Sequence, residues 1–324
     1  MTTKEKLLEL FEAGRGEYFS GEDIARRFSL SRTAVWKAVK ALKEEGYAIS
    51  AVTNKGYCLS EQTDILSAQG IQKYLRPEIA GMDISVLPEA ASTNTIVREM
   101  ANAGRDEGFA VLANSQTAGR GRFGRSFFSP EDTGVYMSLL LRPENYTAEQ
   151  AVRITTMAAV AMCEAIEAVS EEEAAIKWVN DIFVRGRKVC GILTEGAFDI
   201  ESGMMEYSVL GLGVNVYEPE EGFPKALRDV AGAVFQTRRS DVKNRLASEF
   251  LNRFYGYYKA EDKAGYVEKY RRRSFVIGRT VTVVSANQKK SAVVLGIDDK
   301  CRLIVKYGDG KVARCSSGEI SICV

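Results

Sequence analysis

The sequence predicts an α+β protein built from three units. Residues 1 to about 62 carry helical periodicity and close on a short hairpin, residues 63–272 mix helix-like and strand-like runs, and residues 273–324 read as strands alone. In the middle unit strands outnumber helices and several follow one another directly, which argues against a strict βαβ repeat.

In the first unit, Leu7, Leu8, Leu10 and Phe11 form an apolar helical stripe that ends at Gly14–Gly16. Ser20 opens a second helix, with early acids at Glu22 and Asp23 and apolar residues at Ile24, Ala25 and Phe28. After Ser29 and Leu30, Ser31 caps a third helix running to about Glu45, on which Val35, Trp36, Val39 and Leu42 are expected to share one face. That helix carries Arg32, Lys37, Lys40 and Lys43 with no acid before Glu44. Two short helices joined by a tight turn, the second one basic, match a helix-turn-helix. Residues 48–52 and 57–59, around Asn54-Lys55-Gly56, add a hairpin or wing. A small helical domain with a solvated basic face is the competing reading.

A polar link, Ser60 to Asp64, leads into the second unit. Strands are expected at 84–87, 109–113, 135–141, 182–184, 189–194 and 207–216, and helices at roughly 94–103, 148–169 and 241–270. After Arg271-Arg272-Arg273, short strands at 278–284, 291–296, 302–306 and 311–315, with turns at Asn287, Asp298-Asp299 and Gly308-Asp309-Gly310, predict a small β-barrel.

Composition narrows the chemistry. Of 324 residues, 45% are hydrophobic and 27% charged, the balance of a soluble protein with a sizeable core. The start, Met1 to Glu12, lacks the apolar segment of a signal peptide, and the least polar stretch, Ile154–Cys163, is too short to span a bilayer. A cytoplasmic protein without a membrane partner is expected. Lys plus Arg number 44 against 43 acids, which excludes a globally cationic coat and leaves room for a local basic face. Histidine is absent, so His-dependent triads, Cys-His pairs and imidazole-bound zinc are excluded. The six cysteines, at 58, 163, 190, 301, 315 and 323, form no C-x-x-C pair and read as reduced thiols.

Three stretches carry chemistry. In Gln116-Thr117-Ala118-Gly119-Arg120-Gly121-Arg122-Phe123-Gly124-Arg125, glycines let backbone N–H groups approach a ligand while arginines surround it with positive charge. Such a loop suits a polyanion or carboxylate, and equally a flexible basic or RNA-contacting segment; it lacks the G-K-[S/T] of a Walker loop. Lys177-Trp178-Val179-Asn180-Asp181 leads through one strand to Lys188-Val189-Cys190-Gly191-Ile192-Leu193. Asp181 suits a divalent cation and the two lysines suit phosphate or carboxylate oxygens, although an Asn-Asp pair also reads as an ordinary turn. Ser92-Thr93-Asn94 reads as a helix N-cap cluster and as a place to hold a small polar ligand.

The order of the Ser-Thr-Asn cluster, Gln116, the G-R-G-R-x-G-R loop, K-W-x-N-D, K-x-x-G-I-L and Gly211-Leu212-Gly213-Val214-Asn215 resembles that of biotin–protein ligases. With the N-terminal helix-turn-helix and wing, the chain is similar over nearly its full length to the bifunctional bacterial members, which also repress a biotin operon. The resemblance implies a winged helix-turn-helix at 1–62, a class II synthetase-like catalytic domain at 63–272 and an SH3-like β-barrel at 273–324. It implies that biotin's carboxylate attacks the α-phosphorus of ATP, giving biotinyl-5′-AMP, and that a lysine of a biotin carboxyl-carrier domain then takes the biotinyl group. It also implies that Mg²⁺ accompanies ATP and that biotinyl-5′-AMP promotes a homodimer that binds operator DNA.

Residue by residue, the same resemblance implies that Ser92, Thr93, Asn94 and Gln116 bind biotin, while Arg120, Gly121 and Arg122 wrap the carboxylate and the activated phosphoryl group. Lys188 would stabilise charge at the reacting centre, with Arg120 and Arg122 as its catalytic partners. Arg125, Phe127, Lys177, Asn180 and Asn215 would bind ATP, and Asp181 the metal. Ser31, Arg32, Thr33, Lys37 and Lys40 would face DNA. Two positions depart from the family pattern. Phe127 stands where Trp is common, with less stacking area, and Val179 replaces the proline of K-W-P-N-D, a change expected to be accommodated in a strand. A non-catalytic biotin sensor and a lipoate ligase are the rival readings; the presence of both Lys188 and Asp181 speaks against the sensor, and the N-terminal unit with the intact arginine loop favours biotin over lipoate.

Overall fold

The computed structural model describes residues 1–324 apart from 145, 148, 149, 262, 263, 286, 287, 317, 318, 323 and 324. The expected turn residue Asn287, the expected helix start at Ala148, and Cys323 lie outside the described residues.

The N-terminal unit folds around its own core. Helices α1 (Thr3–Ala13), α2 (Gly21–Phe28) and α3 (Arg32–Glu44) are capped by Thr2, Ser20 and Ser31, whose side-chain oxygens accept backbone N–H groups. Each such cap contributes about 1 kcal/mol. Leu7, Phe11, Ile24, Val35, Val39 and Leu42 close the core between them. Trp36 does not join it. Val35, Ala38, Val39 and Leu42 already fill the inward stripe, and Trp36, about 100° around the helix from Val35, is 53% exposed. Strands β1 (Ile49–Val52) and β2 (Gly56–Leu59) form the wing. Phe19 and Tyr57 exchange backbone hydrogen bonds of 2.8 and 2.9 Å, pinning the wing to the α1–α2 link. Gly56 is required there: its φ is +102°, and a Cβ would lie 2.0 Å from the Phe19 carbonyl oxygen.

A seven-stranded sheet dominates the centre, in the order β3 (Ile84–Ala90), β4 (Ala110–Gln116), β5 (Gly134–Leu141), β9 (Met205–Asn215), β8 (Arg187–Phe198), β7 (Asp181–Val184), β6 (Ala174–Lys177). Only the β3–β4 pair is parallel. β6 escapes sequence reading because its four residues hold too little alternation to register. Side chains alternate across the sheet. Val135, Met137, Leu139 and Leu141 of β5 face α6 (Ala151–Val169) and α7 (Val242–Lys259), whereas Leu140 faces α5 (Thr93–Asn102) on the other side. The apolar run Ile154–Cys163 is the buried spine of α6. No helix among the described residues is long and apolar enough to cross a membrane.

The single helix expected over 241–270 is two. α7 ends at Lys259, where Ala260 adopts extended backbone, and α8 (Ala264–Arg273) turns so that its buried Tyr266 and Tyr270 pack as α7 does against α6. The C-terminal unit is a five-stranded antiparallel sheet, β13 (Val312–Cys315), β12 (Leu303–Tyr307), β11 (Gln288–Ile297), β10 (Thr280–Ser285), β14 (Glu319–Ile322), one strand more than expected. Its buried Val281, Val294, Leu303 and Val305 belong to the same continuous core as the central sheet, and the Trp178 indole N–H donates to the Cys301 carbonyl at 3.0 Å. The N-terminal unit is joined differently, through ions. Arg15 bridges Glu12 and Asp241 at 2.8 Å each, and Lys73 bridges the same two carboxylates at 2.7 Å each.

Candidate active site and nucleic-acid interface

The floor of the cavity that gathers the sequence motifs is cut by glycines. Gly191 on β8 and Gly211 and Gly213 on β9 sit on the α5 side of the sheet, and their missing side chains admit what lies above. A Cβ at 211 would lie 2.0 Å from Asn94 Oδ1, one at 213 would lie 2.4 Å from Phe127 Cε1, and one at 191 would lie 3.3 Å from the Phe127 ring. The K-x-x-G and G-L-G patterns are therefore packing requirements of two specific neighbours. The space above this floor measures about 430 Å³, the size of a small-molecule site.

Ser92, Thr93, Asn94 and Gln116 line one end of it. Ser92 holds the N-cap position of α5 and is buried, but its side chain makes no capping bond. Gln116 supplies one from β4: its Oε1 accepts from Thr93 N at 3.0 Å and Thr93 Oγ1 at 3.2 Å, while its Nε2 donates to Ser129 Oγ at 3.0 Å. Ser138 Oγ lies 2.6 Å from Asn94 Oδ1 and 2.7 Å from Thr93 Oγ1. Asn94 Nδ2 donates to Glu195 at 2.8 Å. Ser129, Ser138 and Glu195 escaped sequence reading because each is an ordinary polar residue whose relevance depends on which strand faces it.

Arg120, Gly121, Arg122, Arg125 and Phe127 line the cavity from above. The glycines of this loop serve mainly its own folding. Gly121 N–H donates to the Arg125 carbonyl at 2.7 Å, Phe127 N–H donates to the Gly119 carbonyl at 2.8 Å, and a Cβ at Gly119 would lie 2.4 Å from the Phe127 carbonyl oxygen. The expectation that glycine N–H groups reach for a ligand is thus corrected at Gly121. Arg122 donates to Asn180 Oδ1 at 3.1 Å, and Asn180 Nδ2 donates to the Ile192 carbonyl at 2.8 Å. Phe127 packs directly over Gly213 and meets Tyr136 edge-on, with centroids 6.4 Å apart. Burial pushes the Tyr136 hydroxyl up to about 12, against a lowering hydrogen bond from Thr133.

Lys177, Asn180, Asp181, Lys188 and Asn215 complete the far end. Lys177 and Asp181 are register partners on β6 and β7, and Lys188 Nζ lies 2.6 Å from Asp181 Oδ1. Val179 is not in a strand; it is a buried residue of the β6–β7 turn, after a cis Trp178–Val179 peptide. The segment 223–232, silent in the sequence, closes this end. Lys188 N–H donates to the Val230 carbonyl at 2.8 Å, Gly232 N–H returns to the Lys188 carbonyl at 2.9 Å, and Asn215 Nδ2 donates to the Gly232 carbonyl at 3.0 Å. Cys190 beside Lys188 is fully buried, which pushes its thiol up and keeps it neutral.

Among the described lining residues, five cations (Arg120, Arg122, Arg125, Lys177, Lys188) meet one carboxylate, Asp181. No group of three or more Cys, Asp or Glu side chains suited to a metal occurs among the described residues. A lone carboxylate among cations fits an ion that arrives on phosphates, since Mg²⁺ needs only one or two protein carboxylates alongside substrate oxygens. The chemistry this arrangement suits is neutralisation of a polyanion next to a hydrogen-bonding pocket.

The second candidate surface is α3. Ser31 caps it, its Oγ accepting from Ala34 N at 3.1 Å. Ser31, Arg32, Thr33, Lys37 and Lys40 are all exposed, and Lys40 Nζ lies 5.7 Å from the Trp36 ring centroid and 3.7 Å from Glu44.

Comparison with known proteins bears on both surfaces. Residues 86–215 match the biotin/lipoate A/B protein ligase family, residues 3–58 an HTH domain, and residues 276–322 the biotin protein ligase C-terminal domain. The chain is 33% identical to the bifunctional ligase/repressor BirA of Bacillus spizizenii over 99% of both chains. It is 27% identical to that of Escherichia coli, covering 98% of this chain and 96% of the other. A biotin protein ligase from Aquifex aeolicus, solved with biotin and ATP, superposes with a TM-score of 0.60 at 23% identity, over 74% of this chain and 98% of that one, a likeness of fold.

Proposed function

The chain belongs to the BirA family of bifunctional ligase/repressors, and from that premise we propose how its two surfaces divide the work. The protein is an ATP-dependent biotin–protein ligase and a biotin-operon repressor. Residues 1–62 bind operator DNA, residues 63–272 activate and transfer biotin, and residues 273–324 brace the catalytic sheet.

The observation that carries the catalytic reading is the cavity itself. Residues from separate stretches of sequence, Ser92 to Asn94, Gln116 to Phe127, Lys177 to Lys188 and Asn215, line one space. Attack of a carboxylate on ATP brings an anion onto a polyanion, and the five lining cations answer that difficulty. Arg120 and Arg122 face the biotin carboxylate and the α-phosphoryl group as charge shifts from attacking to leaving oxygen. Lys188 stabilises the negative charge built there, before pyrophosphate leaves and biotinyl-5′-AMP remains. A deprotonated carrier lysine then attacks the acyl carbon, releasing AMP. Removing one such donor typically costs about 10²–10³-fold in rate.

Asp181 would hold Mg²⁺ together with the nucleotide's own oxygens, and the ion when bound neutralises phosphate charge. Phe127 over Gly213 offers a flat face to adenine, and Asn215 lies at the same end. Ser92, Thr93, Asn94 and Gln116 form the polar end suited to a ureido ring. In the cytoplasm, biotinyl-5′-AMP promotes a homodimer whose paired α3 helices reach two operator half-sites.

Biotin-dependent exchange of labelled pyrophosphate into ATP tests the reading. Exchange with biotin and none with lipoate is expected; exchange with lipoate alone, or with neither acid, overturns it.

A further inference from the structure

Glu195 lies on β8, on the same face of the sheet as Gly191 and Leu193. Its two oxygens look in different directions. Oε2 accepts from Asn94 Nδ2 at 2.8 Å, and Oε1 lies 3.7 Å from Arg120 and 3.8 Å from Arg98. It therefore touches both the Ser-Thr-Asn cluster and the first arginine of the loop above the cavity.

The amide of Asn94 has two polar neighbours of different kinds. Ser138 Oγ, 2.6 Å from Asn94 Oδ1, is a hydroxyl that donates or accepts, so it tolerates either end of the amide. The Glu195 carboxylate accepts only. It is thus the group that decides which way the amide points, with nitrogen toward β8 and oxygen toward Ser138. Gly211 confirms how closely the amide is seated, since a Cβ there would lie 2.0 Å from Oδ1. A ring carrying both N–H donors and a carbonyl acceptor distinguishes the two orientations of an amide.

We propose that Glu195 is a positioning residue for biotin: it fixes the orientation of the Asn94 amide and tethers Arg120 over the cavity. The proposal rests on the reading of Ser92-Thr93-Asn94 as the biotin end of the site. Glutamine at 195 can turn either end of its own amide to Asn94 and so no longer dictates that orientation, and it removes the charge facing Arg120 and Arg98; alanine removes the partner altogether.

The test uses the full-length protein and pyrophosphate exchange, with KM for biotin and for ATP measured separately in E195A, E195Q and N94A. Loss of a hydrogen bond to a charged group corresponds to roughly tenfold or more. E195A is expected to raise the biotin KM about tenfold while the ATP KM moves less than about threefold. E195Q, which no longer dictates the Asn94 orientation, is expected to raise the biotin KM by about three- to tenfold and to expose the loop at Arg120, Arg122 and Arg125 to faster trypsin cleavage. A biotin KM unchanged in E195A while N94A raises it overturns the role of Glu195 alone. A biotin KM unchanged in N94A overturns the underlying placement of biotin. If E195A does not fold, E195Q decides: an unchanged biotin KM, or trypsin cleavage no faster than in the wild type, overturns the proposal.

Discussion

Lys188 and Asp181, on neighbouring strands at the end of the cavity closed by residues 223–232, form an ion pair of 2.6 Å, with both side chains about one-quarter exposed (29% and 21%). On the proposed reading, the pair would hold the ammonium at the reacting centre and offer the same carboxylate to a cation. K188A is expected to lower biotin-dependent pyrophosphate exchange about 10²–10³-fold with an unchanged far-UV spectrum. D181A should instead raise the Mg²⁺ concentration needed for half-maximal exchange. Retained exchange in K188A would remove Lys188 from the reacting centre.

Gly211 and Gly213 are two residues apart on one face of β9, yet they seat different neighbours. G211A pushes a methyl group onto Asn94, held at both ends, and should raise the biotin KM. G213A pushes one onto Phe127 and should raise the ATP KM. Steady-state kinetics with each substrate varied in turn reads the split; both variants shifting the same KM would contradict the division of the cavity.

On α3, Arg32 and Lys37 are exposed and Ser31 caps the helix start. R32A and K37A are each expected to weaken operator and random DNA alike, and to flatten the slope of log K against log salt by about 0.9 per lost phosphate contact. Filter binding across a salt series measures this, and an unchanged slope in both variants would point to another helix.

Burial works to raise the Glu107 carboxyl, but hydrogen bonds from Lys259, the Arg142 backbone and Tyr258 outweigh it, leaving the group below its ordinary value of 4.5. A lowered folded-state pKa stabilises the fold above the unfolded value, and the stabilisation fades as pH falls through the folded value. The urea midpoint of E107Q should therefore lie below that of the wild type at neutral pH and converge on it in acid. A gap that widens below pH 4.5 would reverse the sign.

Glu12, on α1, and Asp241, at the start of α7, share Arg15 and Lys73 between them with little exposure. Removing one member of a buried ion cluster typically costs about 3–5 kcal/mol. E12A is expected to separate the melting of the N-terminal unit from that of the rest in calorimetry, while exchange activity at 25 °C persists. A single unshifted transition would show that the ions do not join the units.

The sequence by itself determined most of this protein. Helical stripes, alternating strands and caps act between residues a few positions apart, so the three units and nearly every element are legible from local pattern. The motifs named the residues that line the cavity because each motif is contiguous, and family resemblance supplied their order. Only the tertiary structure decided what depends on distant neighbours. Trp36 points outward because Val35, Ala38, Val39 and Leu42 had already filled the inward face. Helices α7 and α8 part at Ala260 so that both pack on α6. Gly121 spends its N–H on Arg125, and Val179 sits in a turn. Glu195 meets Asn94, 101 positions away in sequence, because α5 packs on the face of the sheet that carries Glu195. No local signal marks such a residue: a carboxylate in an exposed turn and one facing an amide on a helix packed over the sheet have the same sequence signature, and packing alone tells them apart.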